Sequence, residues 1–380
     1  MTKQFDLQQY LSDGVEELVS SILRAALGNP RESAFVAKFA LYAKRASALR
    51  TKAEHRGEHI PSFLIASITD RCNLKCAGCY ARANHACSGE GADDALSAHE
   101  WAGIFDQARA LGISFILLAG GEPLLRADVL REAAKLPEIL FPVFTNGTLL
   151  DDGIYEILDK NRNLLPFLSL EGDRSSTDAR RGQDVYDTLL KKMDSLKKRG
   201  ILYGASITLT KANIAEVTGD AFLDALRARG CKAVIFVEYV SADHASSEIA
   251  PTEAERAYLE GRLAELRSRE NEMIYLSFPG DEKESGGCLA AGRGFFHINA
   301  RGGAEPCPFS PYSDTSLRER SLKEALSCPL FLSLRTGGLL TKEHAGGCVL
   351  FENEETVKRL SDPYPAGSSA ARGEAGTLKL

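Results

Sequence analysis

From residue 62 to about 278, short apolar runs alternate with amphipathic stretches, and few architectures accommodate that pattern. The runs 63–68, 114–118, 140–144, 165–170, 202–209, 233–239 and 273–277 predict strands. Between them, 97–111, 126–136, 151–160, 184–200, 214–229 and 252–270 predict helices. Alternation of this kind calls for a parallel sheet covered by helices, since each parallel neighbour needs a crossover. The fold class expected is α/β, as a partial (β/α)6-type TIM barrel. A doubly wound sheet is the competing topology, and alternation alone does not separate the two. In both, chemistry belongs to loops at the C-terminal ends of the strands.

Residues 1–60 read as helical. Val15, Leu18, Val19, Ile22 and Leu23 recur at helical spacing before Asn29-Pro30 breaks the run. A second helix is expected over 31–53. Its apolar stripe would be Phe35, Phe39, Tyr42, Ala46 and Leu49, and its basic stripe Lys38, Arg45 and Lys52. The plain expectation is a helix packed on the barrel with a solvated basic face. The alternative is peripheral contact of residues 31–53 with a membrane surface or an anionic partner.

The formal net charge of −6 offers no global basic field, so no nucleic-acid partner is expected. No apolar run is long enough to span a bilayer. The start, MTKQFDLQQYLSDG, is polar and does not read as a signal peptide, so a cytoplasmic location is expected. In that setting nine cysteines point to metal binding or catalysis rather than disulfides.

Three of those cysteines sit in one loop directly after the first strand, in Thr69-Asp70-Arg71-Cys72-Asn73-Leu74-Lys75-Cys76-Ala77-Gly78-Cys79-Tyr80. Thiolates suit iron–sulfur clusters and zinc. Zinc would need a fourth ligand, for which His85 and Cys87 are near in sequence. After the second strand comes Ala119-Gly120-Gly121-Glu122-Pro123. Two glycines permit close backbone approach, and Glu122 is able to accept a hydrogen bond from an amine.

The spacing C-x3-C-x2-C after the first strand, with GGEP after the second, resembles the radical S-adenosylmethionine (SAM) superfamily. The resemblance implies that Cys72, Cys76 and Cys79 hold a 4Fe–4S cluster whose open iron takes SAM. It implies reductive cleavage of SAM to a 5′-deoxyadenosyl radical that abstracts a hydrogen atom from a substrate. A reducing partner such as flavodoxin or ferredoxin would supply the electron. Gly120, Gly121, Glu122 and Pro123 would lie at the SAM amino group. Further strand ends supply Asn146, Ser169 and Glu171, the last two resembling ribose-contacting positions, while Arg181 would pair with the SAM carboxylate. The family often carries an aromatic residue just before the third cysteine. Here that position is Gly78, and Tyr80 is expected to supply the aromatic surface instead.

Beyond residue 286 the alternation is lost and glycine and cysteine rise. Gly-Phe-Phe-His-Ile-Asn reads as a strand and Arg301-Gly302-Gly303 as its turn. Cys288-x13-Gly302-x4-Cys307 resembles the opening of the SPASM/twitch extension, which binds an auxiliary 4Fe–4S cluster. Cys328 and Cys348 are the remaining candidates, enough for one such cluster and closer to the shortened twitch form. His297 and His344 lie near that segment in sequence, and Cys231 reads as a buried structural thiol. The expected organisation is an N-terminal helical extension (1–60), a radical SAM partial barrel (61–285), a small auxiliary-cluster domain (286–352) and a tail (353–380), disordered at its end. The substrate expected is a peptide, a protein or a small molecule. A lipid-linked substrate and a zinc-stabilised non-enzymatic binding protein are the alternatives.

Overall fold

A computed structural model describes residues 7–87, 94–241, 247–269, 273–280, 285–341 and 348–361. The expected disordered end of the tail and His344 lie outside the described residues. Nine strands form one curled sheet: β1 (Phe63–Ser67), β2 (Phe115–Ala119), β3 (Phe141–Thr145), β4 (Leu164–Leu170), β5 (Gly204–Leu209), β6 (Ala233–Glu238), β7 (Ile274–Phe278), β8 (His297–Ile298) and β9 (Ala304–Glu305). Their order is β7-β6-β5-β4-β3-β2-β1-β8-β9. β1 to β7 pair in parallel in chain order, as in a partial TIM barrel. Each of the seven apolar runs of the sequence is one of these strands.

β8 pairs in parallel with β1, and β9 turns back antiparallel beside it, matching His297 with Glu305. The expected hairpin is therefore present, and it extends the barrel's own sheet. At the other edge, the Phe278 ring of β7 meets Phe295 at 5.8 Å and Phe309 at 6.3 Å. Aromatic contacts from the C-terminal segment thus bridge the two flanks of the curled sheet.

Two long helices, α1 (Leu7–Ala26) and α2 (Pro30–Glu54), close the floor. Val19 and Ile22 of α1 join Val36, Phe39 and Ala43 of α2 in an apolar cluster with Phe115 and Leu140 at the strand starts. The buried stripe of α2 differs from the sequence expectation. Val36, Phe39, Ala43, Arg50 and Ala53 are buried, while Leu49 is 46% exposed. The reason is Arg50, a charged residue buried to 1% exposure. Its Nη1 donates to Gly112 O at 2.5 Å and so caps the C-terminus of the helix Ala98–Leu111. Arg50 thus belongs to the buried face with Val36, Phe39 and Ala43. Lys38, Arg45 and Lys52 face solvent. Among the described residues no helix is long and apolar enough to cross a membrane.

α2 is also pinned at its start. Glu32, 1% exposed, accepts from Arg162 Nη1 at 2.7 Å and from Leu202 N at 3.2 Å, tying the helix to the starts of β4 and β5. With the floor sealed this way, access to the lumen lies at the C-terminal ends of the strands.

Candidate functional site

At that end, residues 68–79 form a loop carrying Cys72, Cys76 and Cys79, all half-buried. It is held by backbone groups on several sides. Gly121 N donates to Thr69 O and Glu122 N to Arg71 O, both at 2.8 Å. Arg126 Nη1 donates to Ile68 O at 3.1 Å, and Arg82 Nη2 to Leu74 O at 2.8 Å. The two glycines of GGEP serve this contact. A Cβ at Gly120 would lie 2.2 Å from Thr69 O, and one at Gly121 would lie 2.0 Å from Arg71 O. The close approach seen at these glycines is thus to the cysteine loop itself.

Burial pushes the Cys72 thiol up to about 11, partly offset by the N–H of Leu74. Burial also raises Cys76, with the guanidinium of Arg181 opposing it and Cys79 adding to it. Metal binding at these thiols would release their protons.

Glu122 is 1% exposed and fully engaged. Its Oε1 accepts from Thr145 Oγ1 at 2.6 Å and Leu124 N at 3.0 Å, and its Oε2 accepts from Asn146 N at 2.7 Å. Burial raises its pKa despite these bonds. Pro123 opens the short turn Pro123–Arg126. Asn146 reaches back to the loop, its Nδ2 donating to Asn73 Oδ1 at 2.9 Å. Glu122 and Asn146 thus join the ends of β2 and β3 to the cysteine loop.

Ser169, half-buried, and Ser206 are register partners on β4 and β5. Glu171 follows at 2% exposure. Its Oε1 accepts from Arg180 Nη1 at 2.8 Å and from Arg181 Nη2 at 2.5 Å. Its Oε2 is buried with no hydrogen-bond partner. Tyr80 lies edge-on to Phe309 at 5.1 Å, toward the C-terminal segment. The ring lying against Gly78 is that of Tyr239, just beyond β6, within 2.8 Å of where a Cβ would stand. The sequence reading missed Tyr239 and Asn73. Only Asn73 had a local signal, through its place between two loop cysteines.

Cys288, Cys307, Cys328 and Cys348 are buried in the C-terminal segment. Cys288 N donates to Leu340 O at 2.8 Å, and Cys307 O accepts from Ser310 N at 2.9 Å. Cys328 precedes the helix Pro329–Thr336, and burial pushes its thiol up to about 12. The N–H of Phe331 and the side chains of Asp314 and Thr315 are its hydrogen-bond partners. Cys231, with no exposed surface, donates its thiol to Ala233 O at 3.2 Å, as a structural cysteine would. Among the described residues no three Cys, His, Asp or Glu side chains converge on a point as they would around one metal ion.

The C-terminal segment is bonded to the loop region. Asn84 Nδ2 donates to Pro308 O at 3.0 Å. A buried chain runs from β1 through the hairpin: Ser67 Oγ lies 2.7 Å from His297 Nε2, and His297 Nδ1 lies 2.8 Å from Glu305 Oε2. Asn299 Nδ2 completes it, donating to Glu305 Oε1 at 2.7 Å.

Residues 66–219 match the model of the Radical SAM superfamily, a span that begins in β1 and contains the cysteine loop, GGEP and Glu171. That segment is a radical SAM domain. The chain is 25% identical to the AdoMet-dependent heme synthase of Methanosarcina barkeri (strain Fusaro / DSM 804), over 80% of this chain and 85% of that protein. It is 30% identical to the Fe-coproporphyrin III synthase of the same organism, over 49% of this chain and 46% of that protein, so it spans less than half of that relative. The sporulation killing factor maturation protein SkfB of Bacillus subtilis (strain 168) is 27% identical over 42% of this chain and 38% of that protein. Among solved structures, Streptococcus suis SuiB bound to S-adenosylmethionine shares the fold with a TM-score of 0.66 and 20% identity, covering 91% of this chain and 87% of that one. A 4Fe–4S cluster and SAM are the cofactors that a domain of this superfamily implies.

Proposed function

We propose that Cys72, Cys76 and Cys79 hold a 4Fe–4S cluster with SAM on its open iron, and that the enzyme takes a hydrogen atom from a peptide or small-molecule substrate. The observation that carries this reading is the clamp between the three-thiol loop and the GGEP strand end. Three half-buried thiols in one loop suit a cubane with one open iron. A buried carboxylate oxygen without a partner, Glu171 Oε2, suits a ligand hydroxyl such as those of the SAM ribose. When bound and reduced, the cluster together with SAM would supply a 5′-deoxyadenosyl radical.

The chain's own residues then bind and orient. Gly120, Gly121 and Pro123 shape the ledge beside the loop, and Glu122 and Asn146 hold it in place. Ser169 and Glu171 offer hydroxyl and carboxylate groups from neighbouring strand ends. Arg181 is poised against Glu171, from which it is able to turn to the SAM carboxylate. Tyr80 stands between the loop and the C-terminal segment. Cys288, Cys307 and Cys348 are the ligands we assign to an auxiliary 4Fe–4S cluster, with Cys328 the fourth candidate. Cys328 would exchange its bonds to Asp314 and Thr315 for iron. A small reducing protein of the flavodoxin or ferredoxin type would provide electrons in a cytoplasmic setting.

For the substrate, two kinds of relative pull apart. The heme and coproporphyrin synthases support a small molecule, and the killing-factor maturation protein supports a peptide. Anaerobic purification tests the core of the reading. It predicts brown protein with about seven to eight irons per chain and production of 5′-deoxyadenosine on reduction with SAM. Colourless protein carrying zinc would overturn it in favour of a binding protein.

A further inference from the structure

Arg180 stands in the last turn of the helix Arg174–Arg181, facing the cysteine loop. Its Nε donates to Ala77 O at 3.1 Å and its Nη2 to Gly78 O at 3.4 Å. Its own carbonyl accepts from Ala77 N at 2.8 Å. Nη1 is spent on Glu171 Oε1 at 2.8 Å. One planar guanidinium therefore touches three acceptors at once, two of them the carbonyls that lie between Cys76 and Cys79. Arg181 reaches the same Glu171 oxygen. Two guanidiniums share one carboxylate, so one positive charge is left uncompensated within this trio. The side chain of Arg180 is 18% exposed and that of Arg181 12%, so water screens that charge only partly.

We propose that Arg180 is a positioning residue for the metal-binding loop. It fixes the Ala77–Gly78 segment between two ligands, and its charge raises the reduction potential of the cluster the loop holds. The inference rests on Cys72, Cys76 and Cys79 being the ligands. Adding an electron to a cluster held by these thiolates would be favoured by a fixed cation nearby, and the cation is fixed because its other donors are bonded to the loop and to Glu171. A residue that merely capped the helix would leave the potential unchanged.

The test uses the full chain, reconstituted anaerobically with iron and sulfide, as wild type, Arg180→Lys, Arg180→Met and Arg180→Gln. The cluster is titrated with reductant and followed by electron paramagnetic resonance with and without SAM, which alters the signal of the SAM-binding cluster. In the two neutral variants the reduced-to-oxidised ratio at the wild-type midpoint falls about tenfold, a shift of about 59 mV for one electron. Arg180→Lys keeps the wild-type potential, because it keeps the charge. It is cleaved faster at Ala77–Gly78 in limited proteolysis, because an ammonium lacks the planar fork. Loss of iron from the neutral variants with retention in Arg180→Lys also supports the assignment. Lys and Met variants that behave alike in potential and iron content overturn it. A wild-type protein whose loop binds no iron refutes the underlying site reading instead, before Arg180 comes into question.

Discussion

Replacing Gly121 by alanine isolates the contact on which the site depends. The backbone of Gly121 is not in the left-handed region, so alanine is conformationally allowed and the effect is steric. The new Cβ would stand 2.0 Å from Arg71 O and 2.4 Å from Arg71 C, where real contacts stay above 3.0 Å. The cysteine loop and the end of β2 must therefore part by roughly 1 Å, one residue before Cys72. That movement strains the bonds Gly121 N to Thr69 O and Glu122 N to Arg71 O. Overpacking of about 1–3 kcal/mol and two weakened hydrogen bonds of about 1 kcal/mol each give a destabilisation of about 3–5 kcal/mol. Urea unfolding of the apo protein measures it. Iron analysis after reconstitution measures the consequence, a loss of about half the iron, since only one of two proposed clusters is touched. An alanine variant with wild-type stability and full iron would refute the idea that this close approach positions the ligands.

Other consequences follow from buried groups and exposed faces. Burial raises the pKa of Glu122 in the fold, so the folded protein binds the proton more tightly than the unfolded chain does. Its stabilising contribution is full below the unfolded value near 4.5 and is lost as pH rises through the raised value. The stability advantage of wild type over Glu122→Gln should accordingly shrink as pH rises through that window. A constant difference between the two unfolding curves across it would contradict the burial argument. His297→Leu leaves Glu305 and Ser67 without their shared partner. It should cost about 2–4 kcal/mol, read as a lowered urea midpoint; an unchanged midpoint would mean the chain contributes nothing to stability. Lys38, Arg45 and Lys52 face solvent beside Leu41, which is 63% exposed. If this face carries a peripheral membrane contact, vesicles rich in phosphatidylserine pull the protein down at low salt and release the triple glutamate variant; equal recovery of both dismisses the contact.

Much of the fold was legible because parallel strands buried on both faces leave continuous apolar runs. Leu164, Leu168 and Leu170 of β4 are all buried, and such a run survives any register. The buried face of α2 was misread because Arg50 counts as polar in any periodicity, although its charge serves as a helix cap. The pairing of β8 with β1 was beyond reach, since a strand of two residues carries no pattern of its own. At the site, the cysteines and GGEP were legible because their spacing is local. Tyr239 was not, because its contact with Gly78 joins distant parts of the chain and leaves its trace only in the absence of a side chain there. Arg180 stood beside Arg181 with nothing local to separate their roles. Its bonds to Ala77 and Gly78 depend on how the fourth strand end folds over the first.

The most direct measurement compares anaerobic wild-type protein with the Cys72→Ala, Cys76→Ala, Cys79→Ala triple variant, each given SAM and dithionite, with 5′-deoxyadenosine quantified by chromatography. The account predicts product from wild type, none from the triple variant, and about half the iron retained there by the C-terminal cysteines. Product from the triple variant, or a wild type that forms none and carries zinc, would contradict it.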